Sequence, residues 1–540
     1  MTATLFRGGT LFDGHRYVGR ADVLVEDGRV VELRPGGFET VGSASSSTTV
    51  EVVDVEGLLS PGFTDAHVHP IQGGLERLRC DLSELATREE YLAAIRAYAD
   101  RVDAPWILGG GWAMPAFPGG TPLAADLDAV VPDRPVFLPN RDHHGAWVNS
   151  RALELVGIDE HTPDPPDGRI ERDADGRPSG TLHEGATALV SRHLPRTTGA
   201  DYRAALLAGQ RYLHSLGVTG WQDAIVGAYS GMDDPGSTYR DAAASGELRS
   251  HVVGALWWER SRGVEQVAEL VERRAALTAG RFRATSVKIM QDGVAENGTA
   301  ALLEPYLDKC GHATDNRGHS FIDADALQDA VRALDAAGFQ VHVHTIGDRA
   351  VRETLDAMVG TDPERRHHIA HLQLIHPDDV PRFGELGVAA NMQALWACHD
   401  DQMDELTLPF LGEERAGWQY PFGALHRSGA RMVAGSDWPV STPDPLAAIH
   451  TAVTRTAYGE PGRAGSEPLL PDQALDLTTA FAAYTSGSAW VNHREDAGVL
   501  RAGAVADVVV LDRDPFAGPP EEIGAARVTS TWVDGELVHH

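Results

Sequence analysis

Cysteine is scarce in this 540-residue chain, which holds three: Cys80, Cys310 and Cys398. So few thiols build no disulfide framework, and none falls in a Cys-x-x-Cys pair, which argues against a thiolate-held structural zinc. Basic side chains are outnumbered, 46 against 78 acidic ones, for a net charge of -32. A surface that negative repels phosphate backbones and anionic bilayers, so neither nucleic acid nor membrane is expected as a partner. Long apolar runs are missing too. No stretch approaches the roughly 20 residues of a membrane span, and residues 1–9 lack the apolar core of a secretory leader. A cytoplasmic location is therefore expected. What is present is ordinary for a globular protein, 42% hydrophobic and 23% charged residues. The length suits two or three domains, or one barrel with additions.

The most informative segment is Ser60-Pro61-Gly62-Phe63-Thr64-Asp65-Ala66-His67-Val68-His69-Pro70. Strand side chains alternate with a period of two, so His67 and His69 point to one side at the end of an apolar run. Paired neutral imidazoles suit a borderline-soft divalent metal. With 24 histidines in the chain, about one His-x-His pair is expected by chance, and context must decide. Four further residues of metal-ligand or base type, Lys288, His344, His371 and Asp437, each stand at or near the C-terminal end of a short apolar run.

Strand-like runs alternate with helical patterns from about residue 58 onward, the signature of parallel βα units. Eight barrel strands are predicted at 58–69, 218–223, 250–258, 285–291, 339–344, 367–374, 388–393 and 431–437, with helices at 200–216 and 323–337 among the connections. A (β/α)8 TIM-like barrel does its chemistry at the C-terminal ends of its strands, and all six residues fall there. Residues 71–199 exceed one βα connection and read as a large insertion after strand 1. Within it, 161–177 is rich in Pro, Asp and Gly and reads as a surface loop. The Asp-Gly in 21–31 predicts a hairpin. The Ser-rich stretch 42–49 reads as a flexible loop.

These motifs, together with Asp142-His143-His144-Gly145-Ala146-Trp147-Val148-Asn149-Ser150, His344-Thr345-Ile346-Gly347-Asp348-Arg349-Ala350 and Gly435-Ser436-Asp437-Trp438-Pro439-Val440, resemble the amidohydrolase superfamily. The resemblance extends over essentially the whole chain, to the branch of N-substituted formamide deformylases and YtcJ-like hydrolases. At the position of His143 the branch more usually has glycine. The resemblance implies that residues 1–57 and 495–540 form one small β-sandwich beside a barrel at 58–494. It implies two divalent metals, zinc being the best match to the donors. His67 and His69 would bind one and His344 and His371 the other, bridged by Lys288 carbamylated with CO₂. Asp437 would be both ligand and general base, passing a proton from a metal-activated water to the departing nitrogen of an amide or formamide. A mononuclear deaminase, an ester, lactone or carbamate hydrolase, or a non-catalytic scaffold are the alternatives. The complete ligand set disfavours the scaffold. Lys288, and the lack of a glutamate after His344, disfavour the deaminase.

His144, Trp112, Gln393 and His399 are the candidate contacts to a small-molecule substrate, with His183, Glu184 and Asp292 near the pocket. Trp257, Trp258, Trp396 and Trp438 would add aromatic lining. His342 shares a face with His344 but lies two residues deeper, so it reads as a hydrogen-bonding partner of the ligands. His367 and His368 are expected at the start of their strand, away from the site. A homodimer is the commonest closed assembly.

Overall fold

The computed structural model describes residues 2–37, 49–229, 232–458 and 467–540. The Ser-rich stretch at 42–49 lies outside them except for Thr49, which opens a strand.

Eight strands form the barrel: β1 Phe63–Val68, β2 Val218–Val226, β3 His251–Trp257, β4 Phe282–Met290, β5 Gln340–Thr345, β6 His368–His371, β7 Ala389–Met392 and β8 Met432–Ala434. Neighbours pair in parallel in chain order. The strands are buried on both faces, yet several alternate apolar with polar residues, as β5 does in Gln-Val-His-Val-His-Thr. Each Val, Ile or Leu removed from water contributes about 1.5–3 kcal/mol. The segment after β8 closes the ring on β1. The Asp437 amide donates to the His67 carbonyl at 2.7 Å, and the His69 amide donates to the Trp438 carbonyl at 2.8 Å. Gly435 permits this approach, since a Cβ there would lie 2.5 Å from the His67 nitrogen. The connecting helices Gly199–Ser215 and Ala324–Ala336 agree with the predicted spans to within a residue. Thr198 and Asp201 form a capping box on the first, and Asp323 caps the second.

The predicted strand at 58–69 is two strands. Leu58–Pro61 pairs with Val508–Leu511 in a nine-stranded sheet built from both chain ends, and only Phe63–Val68 enters the barrel. Gly62 is the break, where a Cβ would meet the Thr219 side chain at 2.3 Å. In the terminal sheet the expected hairpin turns at Asp27 and Gly28, with φ of 48° and 77°. That is the left-handed pair an Asp-Gly turn provides.

Within residues 71–199 lies a third, six-stranded sheet. It has its own apolar core around Tyr91, Trp112, Phe117 and Trp147. The predicted loop at 161–177 contains a strand, Gly168–Arg172, paired with Pro178–Glu184. Ile170, 2% exposed, anchors it in a second apolar cluster with Phe137, Ala146 and Leu182, and residues 173–177 form only its turn.

Candidate metal centre

Strand register brings the six expected residues to one barrel mouth. Lys288 on β4 stands beside His342 on β5, and Thr345 beside His371 on β6. The Asp437 Oδ1 is 3.0 Å from His67 Nε2 and 2.9 Å from His69 Nε2. Its Oδ2 is 3.9 Å from His371 Nδ1. Lys288 Nζ lies 3.5 Å from His67 Nε2. The rings of His344 and His371 are 4.3 Å apart, and those of His67 and His371 are 4.7 Å apart. The donor atoms of His67, His69 and Asp437 all lie within 4.8 Å of one another.

The protonation states favour a cation. Burial pushes His67 down to about 3 and His344 and His371 well below the usual imidazole range, so all three are neutral. Burial opposes ionisation of Asp437, but the surrounding histidines outweigh it and hold its carboxyl well below the usual range. Burial brings Lys288 down to about 7, with only Asp437 pulling the other way. Among the described residues, His69 Nδ1 and His371 Nδ1 are buried without hydrogen-bond partners, while His344 Nδ1 has the Asp292 carboxylate 3.3 Å away. Such orphans demand an explanation, and an ion is one. Imidazole and carboxylate donors fit zinc, manganese, iron or cobalt. His371 and Asp437 adopt φ of 80° and 58°, left-handed values that cost energy for a side chain with a Cβ.

The second wall comes from residues 71–199. His144 Nδ1 lies 2.9 and 3.0 Å from the two oxygens of Glu184, which also accepts from the Thr299 hydroxyl at 2.7 Å. Burial works against charge on His144, but Glu184 prevails and raises it to about 9. His144 and Trp257 line the metal-facing pocket with the metal-ligand candidates. A cavity of about 410 Å³ adjoins it, and both share Asp142, Ile346 and Trp396. Trp438, Tyr212 and Tyr420 supply further aromatic wall.

Other expectations need correction. Trp112 lines neither the metal-facing pocket nor the cavity beside it. It is 1% exposed, packs edge-on to Phe117 and Trp147, and donates its indole N–H to the Leu138 carbonyl at 2.8 Å. Gln393 is occupied at both ends, accepting from the His371 amide at 2.6 Å and donating to Asn391 at 3.1 Å. His399 pairs with Asp404 at 2.6 Å outside the cavity lining. Trp258 is core, at 2% exposure. His183 faces Glu171 because neighbours on a strand point to opposite sides. Asp292 does stand beside a ligand candidate, its Oδ1 3.3 Å from His344 Nδ1, and it also accepts from the amides of Ala301, Ile346 and Gly347. His367 is peripheral, paired with Asp335, but His368 lies inside the barrel with its ring 4.0 Å from that of His342. His342 contacts His67 Nδ1 at 2.8 Å, as its depth in the strand suggested. Sequence reasoning missed Gln222, Gln340 and Asn391, buried polar residues inside strands. Their only signal was a polar residue at an inward position of an apolar strand.

A parallel eight-stranded barrel with such donors at the C-terminal ends of its strands defines a metal-dependent hydrolase. The model of the amidohydrolase family matches residues 51–539, and the chain belongs to that family. It is 29% identical to the amidohydrolase YtcJ of Bacillus subtilis (strain 168), over 96% of this chain and 95% of the relative. It is 28% identical to the N-substituted formamide deformylase of Arthrobacter pascens, over 95% and 94%. A metal-dependent hydrolase of Pyrococcus furiosus superposes with a TM-score of 0.69 at 26% identity, covering 95% of this chain and all of that one. Among the described residues, no helix is long and apolar enough to cross a membrane.

Proposed function

We propose that this protein hydrolyses the C–N bond of a small neutral amide, a formamide being the first candidate, with two divalent ions, zinc suiting the donors best. The observation that carries this is the convergence of His67, His69, His344, His371, Lys288 and Asp437 at one barrel mouth, the histidines among them that are held neutral facing an ionised carboxylate. When bound, the metals supply an acidified water and a polarised carbonyl. His67, His69 and Asp437 would hold one ion, and His344 and His371 the other. Lys288 would be the anionic ligand they share, as the carbamate formed when its neutral amine adds to CO₂ and releases a proton to solvent. An amine can do this where a guanidinium cannot. Only Lys288 and Lys309 are lysine, so 44 of the 46 basic residues (46 less 2) are arginine, and yet lysine fills this buried position.

Asp437 takes a proton from the attacking water and returns it to the departing nitrogen. His144, charged through Glu184, donates its Nε2 hydrogen to the substrate carbonyl oxygen. The name of the Arthrobacter pascens relative guides the choice of substrate. Trp396, Trp438 and Tyr420 along the cavity suit an aryl or other bulky substituent on nitrogen.

Elemental analysis of the purified enzyme, with release of amine from a panel of N-substituted formamides, tests the proposal. Two ions per chain and amine release are expected. Lys288→Ala should hold at most one ion and lose nearly all turnover. One ion in the wild-type protein would remove the bridge and favour mononuclear deaminase chemistry. Turnover of esters, lactones or carbamates alone would move the reaction to C–O or carbamoyl bonds on the same site.

A further inference from the structure

Beneath the metal-facing pocket the barrel interior is polar, where such barrels are ordinarily packed with branched apolar side chains. Gln222, Gln340, His342, His368 and Asn391 are all buried there. Their hydrogen bonds have one consistent set of directions. Gln340 Nε2 lies 2.9 and 2.7 Å from the backbone oxygens of Arg366 and Val491, which only accept. Gln340 therefore turns its Oε1 toward Gln222, whose Nε2 donates to it at 2.9 Å and to Asn492 Oδ1 at 3.0 Å. This leaves Gln222 Oε1 facing two histidines, 2.6 Å from His342 Nδ1 and 3.0 Å from His368 Nε2. Both nitrogens must carry hydrogen.

Two chains run outward from that oxygen. In the first, no carboxylate among the described residues pairs with His342, and a buried unpaired imidazolium is costly, so its Nε2 bears a lone pair. The 2.8 Å contact with His67 Nδ1 then needs its hydrogen on His67. His67 Nε2, aimed at Asp437, is the one nitrogen left to coordinate. In the second, Asn391 donates to His368 Nδ1 at 3.1 Å, Gln393 to Asn391 Oδ1 at 3.1 Å, and the His371 amide to Gln393 Oε1 at 2.6 Å. One amide oxygen is thus connected to a ligand candidate of each metal position.

We propose that Gln222 is a positioning residue that sets the Nδ1–H tautomer of His67 through His342, reserving Nε2 for the metal, and steadies the His371 backbone through His368, Asn391 and Gln393. The inference rests on His67 being a metal ligand. It is tested on the full-length protein by competing zinc against a chelator, with ¹⁵N spectra of the histidine rings assigned by a His67→Gln variant. Gln222→Met, similar in size but unable to accept from the histidines, should weaken zinc by about tenfold to a hundredfold. Gln222→Glu places a carboxylate against His342, which admits an imidazolium there and with it an Nε2–H that makes His67 Nδ1 the acceptor, so it should also weaken zinc and turn the His67 ring to Nε2–H. A merely packing role would leave the His67 tautomer unchanged in both variants. The wild-type spectrum should show His67 as Nδ1–H, a result that needs no stable Gln222 variant. An Nε2–H ring in the wild type, or Gln222→Met with unchanged zinc affinity beside a weakened His67→Ala, would overturn the inference alone. Unchanged affinity in His67→Ala would instead overturn the ligand assignment beneath it.

Discussion

The barrel mouth and the 71–199 insertion face each other across one pocket and are built on different principles. The barrel holds its candidate ligands by strand register, so Lys288, His344 and His371 are positioned by the ladder that makes the fold. The insertion presents His143 and His144 from a turn and Glu184 from the end of a hairpin, with His143 and Glu184 at φ of 63° and 50°. The barrel side collects neutral donors that need a cation. The insertion side supplies its own charge, an imidazolium paired with a carboxylate. Reaction chemistry on rigid strand ends with recognition on an added element is the division such barrels favour. Substitutions on the two sides should therefore fail differently.

The largest expected effect is on the barrel side. Asp437→Asn keeps the shape and an oxygen donor but not the base. Turnover should fall by about 10²–10⁴-fold, the usual contribution of a positioned proton carrier. Metal content, measured on the same sample, should stay near that of the wild type. Parallel loss of metal and activity would reduce Asp437 to a ligand.

The barrel side was also the more legible in the sequence. A two-residue alternation put His67 and His69 on one face, and apolar runs ending in His, Lys or Asp marked the strand ends. Such signals are local, because a functional residue interrupts the apolar pattern of its own strand. Gln222 and Asn391 interrupt it as well, but only the three-dimensional register shows them meeting. The insertion offered little of this kind. Trp112 reads alike as pocket wall or core, and its contacts with Phe117 and Trp147 come from residues five or more positions away. Likewise Gly168–Arg172 hid among turn residues, since one buried isoleucine carries its strand character. Left-handed φ at His371 and Asp437 left no sequence trace, because neither is glycine.

A smaller effect, with a distinctive pH signature, is expected on the insertion side. Glu184 accepts from His144 Nδ1, so only the doubly protonated ring can also donate from Nε2. His144 is raised to about 9 despite burial. Its folded value exceeds the roughly 6.5 of an unfolded histidine, so the charged form is complete below about pH 6.5 and is lost as pH rises through about 9. In kcat/KM against pH, the wild type should show its basic limb near 9. Glu184→Gln removes the charge and leaves burial dominant, so the limb should move below 6.5. At pH 8 the variant should be about tenfold or more slower, with its metal content unchanged. An unmoved limb would take His144 out of catalysis.

The sharpest contrast comes from a substitution expected to leave turnover alone. Trp112→Ala removes a large side chain from the insertion core and should destabilise the protein by about 3–5 kcal/mol, through lost burial and the cavity left behind. The Leu138 carbonyl loses its indole donor as well. None of these atoms reaches the pocket lining. Thermal unfolding should shift clearly downward while kcat and KM, measured well below the transition, stay within about twofold of the wild type. A raised KM at unchanged stability would return Trp112 to the substrate wall and make the insertion core part of the site it covers.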